Sequence, residues 1–299
     1  MRYILILIFL SITFWTGHAA IALLLGIALS YSVHLPKDFF TKRIGSKLLQ
    51  TGIVFLGGSI SLPTVVEISG AYLPWISLFV VTTFLLVLTV GKILGVDKKL
   101  SYLLASGTAI CGGTAMAAVA PSIRAKPEDL ITAMSIIFIL NALAVILFPF
   151  IGSLLGLSQL EFGSWVALAV HDTASVIGSA SIFGEEAVEV AVTLKLGRTL
   201  WIVPLVLFSA WYFRNKSSRL GFPLFILFFS LAVLLNFLLS PSEETSNLLK
   251  GINKAFLLTG LFCIGSQIDQ SAIKLISLKP LLLAVVVWLI VIKASLWII

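Results

Sequence analysis

The sequence predicts an all-α polytopic membrane protein of about nine to eleven transmembrane helices, with two broken or re-entrant segments and inverted repeats. Three observations carry this. The 299 residues are 59% hydrophobic and 11% charged, too little polar surface for a soluble fold, and long apolar runs mean helices rather than a barrel. Two apolar stretches, 101–122 and 163–183, are built at their centres from Gly, Ala, Ser, Thr and Cys, where a lipid-facing helix would carry Leu, Ile and Phe. Broken backbone at membrane depth survives only inside protein or along a polar cavity. The two stretches also match at an offset of 65: Thr108 with Thr173, Ala109 with Ala174, Gly113 with Gly178, Ala115 with Ala180. Paired interrupted segments in two related halves point to a transporter's binding site.

The net charge of +7 does not mean nucleic acid as a partner, because the basic residues sit in short loops between apolar runs. That is the positive-inside pattern of a multi-pass protein of the bacterial inner membrane, whose partner is the lipid bilayer. Cys111 and Cys263 both lie inside apolar segments and imply neither a disulfide nor a metal framework. No cofactor is expected.

Taken in order, residues 3–16 are apolar but short, and a second run at 19–33 follows at once. A short first span with a tight turn is expected there rather than a signal peptide. After a loop with Lys37, Lys42, Arg43 and Lys47 come spans near 48–62 and 72–94, then Lys92, Lys98 and Lys99. The first small-residue stretch is followed by Arg124, Lys126 and a span at 129–152, whose far loop, 153–161, has no Lys or Arg. Beyond the second stretch lie spans near 188–213, 222–240, 251–267 and 278–298, with Arg214, Lys216 and Arg219, then Glu243 and Glu244, then Lys274 and Lys279 between them.

With the N-terminus inside, the basic loops fall on the cytoplasmic side only if each small-residue stretch dips in and returns, the first from the cytoplasm and the second from outside. A repeat supports this topology. Leu49, Thr51, Gly52, Gly57, Ile60, Ile68 and Ser69 recur as Leu257, Thr259, Gly260, Gly265, Ile268, Ile276 and Ser277, at an offset of 208. Related spans of opposite direction are inverted repeats, here halves 18–152 and 160–299 of one transporter domain, 1–299.

Charges inside apolar runs are the informative ones, since a lone Asp, Lys or Arg at a helix centre costs roughly 2.5–3.5 kcal/mol and needs a partner or a wet cavity. Three places qualify: His171-Asp172, Lys195 with Arg198, and Lys293. Asp172 near a helix break can take Na⁺ or a proton, or neutralise a neighbouring cation; His171 can titrate near neutral pH. Lys195 and Arg198 share one helix face, and Asp172 alone cannot neutralise both. The excess positive charge favours an anion, which the Arg fork suits, unless one of them pairs with Glu185, Glu186 or Glu189 instead. Lys293, near the end of the last span, snorkels. Gln50, Asn141 and Gln267 are expected as inter-helical hydrogen-bond partners. Thr51 and Thr259 stand out because the repeat makes them equivalent.

The run Gly107-Thr-Ala-Ile-Cys-Gly-Gly-Thr-Ala-Met-Ala-Ala-Val-Ala-Pro121, followed by His171-Asp172 and Lys195-Leu-Gly-Arg198, resembles the YeiH-type sulfate exporter family of bacteria. The resemblance covers nearly the whole chain from about residue 20. It implies kinship with bile-acid, arsenite and auxin carriers, hence inverted repeats, broken helices and a transport domain moving against a scaffold. In those relatives the broken helices cross, which competes with the re-entrant arrangement. The expectation is a secondary transporter of a small anion, sulfate or an organic sulfonate, driven by Na⁺ or protons and able to form a homodimer. The anion would be held by Arg198, Lys195, Thr108, Cys111, Gly112, Gly113, Thr114, Thr173 and Ser175, and the coupling ion by Asp172, His171, Thr51 and Thr259. The rival is a cation/proton antiporter with Asp172 as its ion site. An enzyme is not expected, because no nucleophile, acid pair or metal set appears.

Overall fold

The computed structural model describes residues 2–33, 35–36, 39–213, 224–267 and 276–299, and their regular structure is helical throughout. The chain runs through α1 (Arg2–Thr16), α2 (Ala19–Ser32), α3 (Phe40–Gly57), α4 (Leu62–Ile93), α5 (Lys98–Ser106), α6 (Gly113–Ile123) and α7 (Pro127–Leu154). It continues through α8 (Gln159–Ala169), α9 (Thr173–Phe183), α10 (Glu185–Thr199), α11 (Ile202–Tyr212), α12 (Leu224–Leu239), α13 (Glu243–Gly265) and α14 (Leu278–Ile298). Among the described residues, Tyr72–Ile93, Pro127–Leu154, Glu185–Tyr212, Glu243–Gly265 and Leu278–Ile298 are long and apolar enough to cross a membrane. Lys37, Arg214, Lys216, Arg219, Lys274 and Ile268 lie outside the described residues.

Local chemistry sets the helix starts. Asp97 caps α5 by accepting from Lys99 N and Leu100 N at 2.8 and 3.2 Å. Pro127 opens α7 with Glu128 and Asp129 in the first turn, where acids offset the positive helix end. Ser158 and Glu161 form a capping box on α8, and Ser242 caps α13. The expected spans 72–94 and 251–267 are therefore longer at their starts, beginning at Leu62 and Glu243.

Both small-residue stretches are helical hairpins. Lys99, at the start of α5, donates its Nζ to the carbonyl of Arg124 at the end of α6 at 2.7 Å. Phe162 near the start of α8 stacks on Phe183 at the end of α9, centroids 3.9 Å apart. Each pair of arms thus begins and ends on one face of the protein. Between the hairpins stands α7, 28 residues of unbroken helix, about 42 Å at 1.5 Å per residue. The hairpins therefore enter from opposite faces.

Contacts at the helix ends sort the two faces. Lys98 reaches Tyr212 Oη at 3.4 Å, Gly95 lies beside Lys279, and Ser266 bonds Thr41 at 2.9 Å. Those ends carry Lys92, Lys98, Lys99, Arg124, Lys126 and Lys279, while the turns 58–61, 155–158 and 240–242 on the other face carry no Lys or Arg. The basic face is the cytoplasmic one, and α5–α6 enters from it.

The helices form two bodies. In the first, α1, α2, α3, α12 and α13 pack mainly on one another, and in the second α4 to α11 and α14 do so. Of the residues matched at the offset of 208, Leu49, Thr51, Gly52 and Gly57 lie in α3 and Leu257, Thr259, Gly260 and Gly265 in α13, antiparallel partners at the heart of the first body. Gly26 and Gly265 let α2 and α13 touch backbone to backbone, since a Cβ on either would strike the other helix. A thin seam joins the bodies, α9 and α7 facing α13 and α2.

Candidate functional site at the hairpin tips

The two tips meet. In the first hairpin α5 widens into one turn, Gly107–Cys111, closed by an i→i+5 bond from Gly112 N to Gly107 O at 2.9 Å. Such turns cluster at functional positions. Gly112 then reverses the chain at φ 62°, ψ −127°, a conformation essentially confined to glycine. Its Cα faces Asp172, and a Cβ there would sit 3.0 Å from the Asp172 Cβ. In the second hairpin α8 stops at Val170, and Asp172 caps α9 by accepting from Ser175 N at 2.9 Å and Ser175 Oγ at 2.7 Å.

Asn141, midway along α7, ties this together. Its Nδ2 donates to Asp172 Oδ2, while its Oδ1 accepts from His171 N at 3.1 Å and faces His171 Nδ1 at 3.1 Å. A carboxylate can only accept, so the amide must point its nitrogen at Asp172. The oxygen then receives an Nδ1–H, which leaves Nε2 of a neutral His171 as the acceptor. That atom is buried with no partner among the described residues.

Lys195 and Arg198 share one face of α10, as their spacing requires, and both are buried. Their donors go to the open carbonyl ends of the broken helices. Arg198 Nε donates to Ala109 O at 2.6 Å, Nη1 to Leu168 O at 2.7 Å and Ala167 O at 3.1 Å, and Nη2 to Thr108 O. Phe79 lies under the guanidinium at 5.2 Å. Lys195 Nζ donates to Val170 O at 2.7 Å. This corrects the expectation that these cations grip an anion. The last carbonyls of a helix lack partners and carry negative partial charge, so a planar fork of donors is drawn to them first. Neither cation pairs with Glu185, which bonds Lys250 at 3.0 Å.

A cavity of about 360 Å³ opens between the tips and the first body. On the hairpin side it exposes Cys111, Gly113, Thr114, Asp172 and Thr173, and from α3 and the turn after α13 it takes Gln50 and Gln267. The sequence-predicted set therefore divides. Cys111, Gly113, Thr114, Asp172 and Thr173 come together, whereas Thr108 and Ser175 are buried behind the tips. Thr51 and Thr259 do not join Asp172: their hydroxyls bond Lys47 O and Ala255 O of their own helices, at 2.9 and 2.8 Å. Gln50 and Gln267 line the cavity itself rather than only linking helices, and Asn141 belongs to the Asp172 network.

The cavity is where helix ends of one sign converge. α6 begins there, and Gly112 brings no side chain to cap it; Gly113 and Thr114 line the cavity, while the amide of Ala115 behind them bonds the Cys111 sulfur. α9 begins there too, already capped by Asp172. The matching C-terminal ends, α5 and α8, are turned away and neutralised by Arg198 and Lys195. The arrangement presents one positive helix end and one carboxylate to the same space.

Comparisons with known proteins agree with this membrane architecture. The family model described as Conserved hypothetical protein 698 matches residues 7–284. A UPF0324 membrane protein of Shewanella oneidensis is 41% identical over 268 residues, covering 90% of this chain and 85% of the relative. One of Bacteroides thetaiotaomicron is 37% identical over 91% of this chain and 83% of its own, and one of Geobacter sulfurreducens 37% identical over 96% and 92%. No solved structure matches. With this coverage and identity, the chain belongs to the UPF0324 membrane protein family, to which the YeiH-type proteins correspond, and is a multi-pass bacterial membrane protein.

Proposed function

We propose that this protein is a secondary active transporter, carrying a small anion through the seam between its two helical bodies under a Na⁺ or proton gradient. The observation that carries the reading is the start of α6, which opens into a cavity walled by both bodies at the meeting point of two re-entrant tips. Helix N-termini bind anions because their first N–H groups lack partners and the helix dipole adds positive charge. Gly113 and Thr114 supply these amides, and the hydroxyls of Thr114 and Thr173 suit oxygens of a sulfate or sulfonate. The volume of about 360 Å³ lies in the range of small-ligand sites.

Asp172 provides the coupling. Its carboxylate shares the cavity with the incoming anion, and two like charges in a partly dry space repel strongly. A Na⁺ ion or proton taken up by Asp172 removes that repulsion, so anion and cation favour each other's binding. Lys195 and Arg198 act as positioning residues that hold the tip carbonyls.

The cation/proton antiporter keeps one observation in its favour: Asp172 is the single acidic residue among those lining the cavity. Thermal stability of the purified protein with sulfate, sulfite, taurine, sulfoacetate and small carboxylates, each with and without Na⁺ at pH 6 and 8, separates the readings. Stabilisation by one anion, enhanced by Na⁺ or low pH, supports the anion carrier, because ligands of the folded state raise its melting temperature. Stabilisation by Na⁺ or low pH alone, with no anion effect in binding or in proteoliposome uptake, overturns it in favour of the antiporter.

A further inference from the structure

A second cavity, of about 260 Å³, lies on the same seam nearer the outer face. Leu56, Lys250, Asn253 and Leu257 wall it from the first body, Ile177 and Ser181 from α9. The two cavities are stacked, and α9, α13 and α3 each record the same order. Along α9, Asp172, Thr173 and Ala174 face the tip cavity, whereas Ile177 and Ser181 face the outer one. Along α13, Ile264 lines the tip cavity, with Gln267 just past the helix end, and Leu257 and Leu258 line the outer one. Along α3 the change falls between Ile53 and Leu56.

Between the residues of α13 that line the two cavities stands Leu261, and against it, next to Ile177 on α9, stands Gly178, both buried. A Cβ on Gly178 would lie 3.1 and 3.5 Å from the two δ-carbons of Leu261, so the leucine is seated on the bare backbone of α9. Leu261 is one turn from Leu257 on one side and close to one turn from Ile264 on the other, so about 10 Å of α13 separates the residues that line the two cavities, and Leu261 stands at the middle of this apolar layer. The outer cavity itself has an apolar floor and a polar rim, with Glu185 of the second body bonded to Lys250 of the first at 3.0 Å. That pair is open to solvent, the Glu185 side chain 84% and the Lys250 side chain 35% accessible, and such surface pairs contribute little. The apolar layer, not the ion pair, separates the cavities.

We propose that Leu261 seated on Gly178 is the outer gate of the translocation path and that the outer cavity is its vestibule. This rests on the tip cavity being the transported ligand's site. Passage outward requires α9 to part from α13 at this one level, where glycine offers no side chain to interlock. The contact is made between the two bodies, so their relative motion opens it directly.

Thiol accessibility tests the gate without any substrate. In a background with Cys111→Ala and Cys263→Ala, Ser181→Cys reports the vestibule and Thr114→Cys the tip cavity. A membrane-impermeant charged thiol reagent applied from the outer side should label Ser181→Cys readily and Thr114→Cys slowly. Adding Leu261→Ala, which empties the layer, should speed outside labelling of Thr114→Cys by about tenfold or more. Equal labelling of both positions without Leu261→Ala, or no acceleration with it, overturns the gate. Should Leu261→Ala not yield folded protein, Leu261→Val carries the same expectation with a smaller acceleration. An intact barrier to labelling alongside absent anion binding would leave the gate standing and overturn the anion reading alone.

Discussion

Arg198 Nε lies 2.6 Å from the carbonyl oxygen of Ala109 in one hairpin, while Nη1 of the same side chain lies 2.7 Å from that of Leu168 in the other. One guanidinium therefore fastens both tips, some 90 and 30 residues away in sequence. Truncation to Ala leaves four buried carbonyls without donors, each costing about 1–3 kcal/mol. Arg198→Ala should lower the melting temperature by about 5 °C or more. Arg198→Lys should recover little, because a point charge cannot span two tips. A variant with unchanged melting and weakened anion binding would show that Arg198 grips ligand instead.

Asp172→Asn separates charge from capping. Asn can keep the cap on Ser175 N, but its amide nitrogen would face the Asn141 donor and the Ser175 hydroxyl, so stability should fall by about 1–3 kcal/mol while the protein still purifies as a monodisperse species. Transport in proteoliposomes should lose its dependence on Na⁺ or pH. Full retention of that dependence would remove Asp172 from the coupling role.

Neighbouring glycines should respond in opposite ways. Gly112→Ala forces a side chain into a glycine-only conformation and against Asp172, at a strain of about 1–3 kcal/mol before the clash is counted. Gly113→Ala meets nothing closer than Phe138 at 3.6 Å. It should leave melting nearly unchanged while weakening anion binding, because its methyl enters the cavity. Equal melting temperatures for the two variants would contradict the tip geometry.

Asn141→Leu removes the donor to Asp172 and the acceptor for His171 together. Loss of this buried bridge should destabilise the protein by about 2–4 kcal/mol, read as a lower melting temperature. A double-mutant cycle with Asp172→Asn should show coupling, and strict additivity would mean the bridge is not energetically real.

The hairpins were legible because composition betrays them: stretches of Gly, Ala, Ser and Thr flanked by loops of decided charge fit a dip and a return better than a crossing. The shared face of Lys195 and Arg198 followed from spacing. Their partners did not, because backbone carbonyls carry no residue signature and become visible only once two chain breaks converge. Thr51 and Thr259 were singled out by repeat equivalence, yet a Thr hydroxyl within a helix readily bonds back to its own i−4 carbonyl. Gln50, one residue before Thr51, lines the cavity instead, since the helix turns about 100° per residue. Asn141 is an amide in an otherwise apolar span, and that isolation was the signal for its bridging role.

The fastening of the first hairpin by a residue of α10 bears on how the protein is made. The α5–α6 tip leaves the ribosome long before Arg198 does, and until then the carbonyls of Thr108 and Ala109 have no cation to receive them. Lipid cannot satisfy them. The first hairpin must therefore wait at the water-lined insertion machinery or at the cytoplasmic surface, and settle to depth only as α10 is threaded. A chain halted before α10 has left the ribosome would carry its binding-site half in an unfinished state, whereas one halted after α10 has been inserted would hold both tips through Arg198.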